Sequence, residues 1–127
     1  MIGVALNVAD IDKELAFYTE GLGMQMKAKI PQGQKFEYIL GFSADPASPS
    51  LLLMHDTAAT APASIQHGNG HSRLVVSVPD VNAATARLAS QGYSPGEVRE
   101  VPGGYRITIA TDPEGYRLEL VEHPAKK

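Results

Sequence analysis

The chain lacks cysteine and tryptophan, and only 6% of its 127 residues are aromatic. Without cysteine there is no disulfide, no thiolate metal site and no thiol nucleophile; a reducing compartment is compatible with this, and the protein is expected to be cytoplasmic. Lysine and arginine form no cluster, and the formal charge is −3. Nucleic acid, which is bound through a basic face, is therefore not an expected partner. No hydrophobic run approaches the length of a membrane span. The opening Met1-Ile2-Gly3-Val4-Ala5-Leu6 has no basic region and runs into Asn7 and Asp10, so neither signal peptide nor membrane anchor is expected there.

What is present is ordinary for a folded domain. Hydrophobic residues make up 43% of the chain and charged residues 20%, enough for one core in a chain of this length. The most informative stretch is Asp112-Pro113-Glu114-Gly115 followed by Tyr116 to Glu122. The first four residues have turn chemistry: Asp opens, Pro presets φ and Gly closes. Beyond them Tyr116, Leu118 and Leu120 alternate with Arg117, Glu119 and Val121, which predicts a strand with one apolar face. Glu119 thus falls mid-strand among apolar neighbours, where a carboxylate needs a cation, a metal or several donors.

In chain order, Gly3 to Val8 reads as a strand, and Asp10 or Asp12 caps a helix carrying Ile11, Leu15, Phe17 and Tyr18 that ends at Gly21 or Gly23. Strands are predicted over Met24 to Ile30, Lys35 to Gly41 and Leu51 to His55, with a turn over Pro31-Gln32-Gly33-Gln34. Residues 57–69, rich in Ala, Thr, Pro, Gly and Ser, read as a linker between module one (1–56) and module two (70–127) of a single domain. The second half repeats the first. Leu6-Asn7-Val8-Ala9-Asp10-Ile11-Asp12 aligns with Val76-Ser77-Val78-Pro79-Asp80-Val81-Asn82 at an offset of 76 − 6 = 70 residues. A helix ending near Gly92 and strands over Val98 to Val101, Tyr105 to Ala110 and the Glu119 segment complete a second β-α-β-β-β series. Neither half is large enough to bury both its helix and its sheet face, so packing within or between chains is expected.

Val8-Ala9-Asp10-Ile11-Asp12, Phe17-Tyr18-Thr19, Leu22-Gly23-Met24 and the closing Asp112-Pro113-Glu114-Gly115-Tyr116 with Glu119-Leu120 resemble the vicinal oxygen chelate superfamily, which includes glyoxalase I, bleomycin- and fosfomycin-resistance proteins and ring-cleaving dioxygenases. The resemblance implies an α+β fold, two βαβββ modules whose curved mixed sheets form a cup. It also implies a homodimer and a small-molecule ligand. Metal-containing members place one ligand at each of four corners, on the first and last strands of each half. In this chain those corners read as Gly3, its repeat partner Arg73, His55 and Glu119. Gly3 has no side chain and a guanidinium cannot ligate, so no metal is favoured.

A divalent Zn, Ni, Mn or Fe would instead need His55, His71 and Glu119, with His71 two residues (about 6.6 Å) along the strand from Arg73. The favoured reading is an Arg73–Glu119 ion pair where relatives hold metal, with Tyr38 and Arg73 binding a partly apolar molecule. The alternative is a glyoxalase I-like lyase or isomerase in which Glu119 or His55 takes a proton beside a carbonyl. Blander assignments stand beside these. Arg73 and Glu119 also fit a structural pair, the Phe36, Tyr38 and Phe42 stripe fits core, His55, His67 and His71 fit solvent-facing positions, and His123 lies near the tail with no role assigned.

Overall fold

A computed structural model describes residues 1–125, which divide into two compact units, Met1 to Gln66 and a second from His67 onward. The break falls inside the predicted linker. Each unit is a β-α-β-β-β module with its own mixed four-stranded sheet.

In the first unit β1 (Gly3–Val8) leads to α1 (Ile11–Ala16), then to β2 (Gln25–Gln32), β3 (Lys35–Gly41) and β4 (Ser50–Asp56). Asp10 is the N-cap, its side chain accepting from the Lys13 backbone N–H at 3.1 Å. The helix does not close on a simple α turn. Phe17–Gly21 widens into a π-helical turn that places Phe17 and Tyr18 side by side, both fully buried with their rings edge to face at 5.0 Å. The sheet order is β1-β4-β3-β2, with β1 and β4 parallel and the remaining pairs antiparallel. The hairpin between β2 and β3 is tighter than the sequence suggests. Pro31 and Gln32 belong to the strand and only Gly33 and Gln34 turn, because Gly33 adopts φ +65° and lets Gln32 pair directly with Lys35.

The second unit repeats this with β5 (Leu74–Ser77), α2 (Val81–Ser90), β6 (Arg99–Val101), β7 (Tyr105–Thr111) and β8 (Arg117–Glu122), in the order β5-β8-β7-β6. Asp80 caps α2 as Asp10 caps α1, accepting from Ala83 N–H at 3.0 Å. A second carboxylate, that of Glu122, accepts from Val81 N–H at 2.9 Å and thereby ties the helix start to β8. The helix packs against β7 and β8, and Leu88 of the helix and Leu118 and Leu120 of β8 are all fully buried. The closing turn forms as its chemistry dictates. Asp112 Oδ1 accepts from Glu114 and Tyr116 N–H (2.9 and 3.0 Å), Gly115 N–H donates to Asp112 O, and Gly115 holds φ +91°. Among the described residues no helix is long and apolar enough to cross a membrane.

Candidate functional site

Strand alternation gives each sheet two faces, and residues paired across neighbouring strands share one. In the first sheet Leu6, Leu53 and Tyr38 are in register, as are Val8, His55 and Phe36. Leu6, Val8, Tyr38, Leu40, Leu51 and Leu53 are all buried, so this is the core face. The opposite face carries Ala5, Leu52 and Ile39 in one row and Gly3 beside Ser50 in the next. Here lies a concavity of about 550 Å³, with Gly3, Ala5, Ile39 and Leu52 as apolar walls and Lys27, Glu37 and Ser50 as polar groups.

Two of the residues expected at the ligand face are therefore placed elsewhere in the first unit. Tyr38 is buried on the core face, with Lys29 Nζ 5.2 Å from its ring centroid. His55 shares that face, and its buried Nδ1 has no hydrogen-bond partner among the described residues. The reason is register. Glu119 pairs with Val75, whose repeat counterpart is 75 − 70 = 5, and Ala5 pairs with Leu52. The last strands thus repeat at 119 − 52 = 67 residues, and His55 stands three positions beyond the corner. An odd displacement along a strand changes the face.

Lys27, Glu37 and Ser50 carry no local sequence signal that marks them for this face, and Lys27 is the cation among them. Its ammonium donates to Ser50 Oγ (2.8 Å), Ser48 Oγ (3.0 Å) and the Ser48 carbonyl (3.2 Å), spending its three protons on neutral acceptors. It stands where the β2–β3 register shifts between Met26 and Ala28, and the irregularity re-aims it toward the 43–50 loop. Nothing in the local sequence announces such a bulge.

In the second sheet the face opposite the leucines carries Val75, Glu119 and Ile109 in one row. Arg73 immediately precedes β5, and its Nη2 lies 3.4 Å from Glu119 Oε1; Nη1 donates to Ser72 Oγ at 3.0 Å. The predicted pair exists, but as a single long contact. Charge-assisted N–H···O bonds run nearer 2.7–2.9 Å and arginine prefers a two-pronged grip. The pair is also open to water, with the arginine side chain 41% and the glutamate 19% exposed. His71 takes no part: its ring sits edge-on to Tyr116, centroids 6.2 Å apart. His67 sits closer to Tyr116 at 4.6 Å and donates from Nε2 to the Glu114 carbonyl, which places the proton on Nε2.

Residues 3–120 match the model of the glyoxalase/bleomycin resistance protein/dioxygenase superfamily. The chain belongs to this superfamily. It is 26% identical to a probable lactoylglutathione lyase of Synechocystis sp., over all of this chain and 98% of that protein. It is 27% identical to the lactoylglutathione lyase of Haemophilus influenzae, over 96% of this chain and 91% of the relative. Among solved structures, glyoxalase I of Zea mays superposes with a TM-score of 0.86 at 25% identity, covering 99% of this chain; the chain spans only 45% of the maize protein. An antibiotic-binding protein from a Streptomyces species superposes at 0.71 with 25% identity, covering 98% of this chain and 94% of that one.

Within the superfamily frame, the register names the corner positions: Gly3 and Leu52 in the first unit, Arg73 and Glu119 in the second. Neither unit's pair fits a metal. Gly3 offers no donor, and a Cβ built there would stand 2.6 Å from the Ser50 carbonyl oxygen, so even alanine cannot be accommodated without a shift. Leu52 is apolar, Arg73 is a cation, and Glu119 alone has a ligating group. Among the described residues no group of three or more His, Cys, Asp or Glu could hold a metal ion.

Proposed function

We propose that this superfamily member holds a small, partly apolar molecule on the ligand faces of its sheets and does so without a catalytic metal. The observation that carries the reading is that neither unit offers a pair of metal donors at its corner positions: Gly3 and Leu52 have none, and of Arg73 and Glu119 only the glutamate has one. The apolar concavity of the first sheet, with few polar groups on its wall, is the kind of surface that takes such a ligand. An antibiotic-binding protein among its structural neighbours supports the same reading. The protein is proposed to work as a homodimer, and the absence of cysteine suits a cytoplasmic location.

The test is metal content by mass spectrometry after expression with zinc, nickel, manganese and iron, together with melting in the presence and absence of chelator. The expected result is substoichiometric metal and an unchanged melting point. Near-stoichiometric metal, with a melting point lowered by chelator, overturns the reading.

A second reading is favoured by the relatives named lactoylglutathione lyase. In it Glu119 removes a proton from the carbon beside a carbonyl and the Arg73 guanidinium steadies the oxygen anion that forms. It is tested by hemithioacetal isomerisation. Turnover by the metal-free protein that is lost in Glu119→Gln, with binding retained, would favour the lyase over the binder.

A further inference from the structure

We infer that the second sheet's ligand face recognises an anionic oxygen group, a carboxylate or its equivalent, on the molecule that the binding reading above assigns to this protein. The inference rests on that reading and adds the charge of the ligand. It comes from how the arginines are distributed. The parallel β5–β8 ladder begins at Leu74 and Leu118, with Arg73 and Arg117 each one residue before it; Arg117 stands two residues from Glu119 and so shares its face, and Arg73 reaches that same face through its contact with Glu119. Cα atoms on neighbouring strands stand about 4.8 Å apart, and like charges directly opposite each other on a sheet repel.

The compensation available within the protein is incomplete. Glu119 meets Arg73 through one oxygen at 3.4 Å, and the side chain of exposed Arg117 has no ion pair or hydrogen bond among the described residues. The three groups sum to 2 − 1 = +1. Thr111 pairs with Arg117, and the next row is apolar on either side of Glu119: Val75 is 63% exposed and Ile109 half-buried. Two arginines side by side at the edge of an apolar strip, with most of their N–H donors unspent, match a planar oxyanion that accepts from both. Glu119 then acts on Arg73, holding its guanidinium from one side while the other donors meet the ligand.

The first sheet lacks this device. Its position equivalent to Arg117 is Ser50, whose hydroxyl is occupied by Lys27, and the position equivalent to Arg73 is Gly3. Anion recognition belongs to the second module alone.

The experiment compares 2-naphthoate with 2-naphthamide, an acid and neutral amide of nearly the same shape, by titration followed in 15N–1H NMR spectra at low and moderate salt. Both are expected to shift resonances, with naphthoate about tenfold tighter at low salt and the advantage shrinking as salt rises. Arg73→Gln and Arg117→Gln, each checked for an unchanged amide spectrum away from β5 and β8, should each lose most of that preference while keeping naphthamide affinity. Equal affinity of acid and amide for the native protein, or a preference that survives both substitutions, overturns the inference and leaves the binding reading intact. Failure of both probes to bind at millimolar concentration overturns the two together.

Discussion

At the scale of single residues, three positions decide what the ligand faces can hold: Gly3, Arg73 and Glu119. Gly3 is the most constrained. Its missing Cβ is filled at 2.6 Å by a backbone oxygen, which a flexible side chain cannot step around. Gly3→Ala is therefore expected to destabilise the protein by about 1–3 kcal/mol as β1 moves off β4, read from urea unfolding. Gly3→His should fail to restore a metal site for the same reason. Arg73 and Glu119 behave in the opposite way. A water-exposed pair contributes only about 0–1 kcal/mol, so replacing both together by Met and Leu should leave stability within about 1 kcal/mol of the native protein. A loss of several kcal/mol would mean that the pair is structural and would remove the reason for assigning it a ligand.

At the scale of elements, the aspartates that start helices and the aspartate that closes the last hairpin differ in depth. Asp10 and Asp80 cap from exposed positions, and each replaced by Ala should cost about 1 kcal/mol. Asp112 is 4% exposed and accepts two backbone N–H groups, so Asp112→Ala strands donors away from water and should cost more, about 2–3 kcal/mol by chemical denaturation. A smaller loss than at Asp80 would show that the turn does not depend on its side chain.

These elements were also the legible part of the sequence. Caps, turn residues and period-two alternation are local signals, and the 70-residue repeat converted them into topology. What was not legible is phase. The repeat matches the strand of His55 to that of Glu119, but strand phase gives the corner to Leu52, three positions before the histidine. The shared Leu-x-Leu of Leu51-Leu52-Leu53 and Leu118-Glu119-Leu120 held the needed alignment, and Leu52 carried no chemistry to draw attention to it. By residue type Tyr38 fits either the core or the ligand face, and its pairing with Leu53 puts it in the core. The Lys27 bulge depends on contacts with residues 48 and 50, more than twenty positions away, and no window of sequence contains both.

At the scale of the whole molecule, the two compact units meet in sequence at Gln66 and His67, within a segment that has no regular structure from Thr57 to Arg73. Limited proteolysis is expected to cut first within residues 57–70, yielding two fragments of similar size before either is degraded. Early cleavage inside β2–β3 would contradict this. Light scattering is expected to return twice the chain's 13.5 kDa, because neither module alone has surface enough to bury. A monomer at micromolar concentration would end the dimer proposal.

The Asp112 turn does more than reverse the chain. By fixing how many residues stand between the pivot and β8, it works as a counter: with the present spacing Glu119 arrives beside Arg73 while Leu118 and Leu120 enter the core. Deleting one residue of the turn would bring a leucine to the arginine and press the carboxylate among leucines, without touching any residue of the site. Such a protein tolerates many spellings of its ligand face but very few changes of length next to it, and lineages of this chain should vary at Arg73 and Arg117 long before they gain or lose a residue between Asp112 and Tyr116.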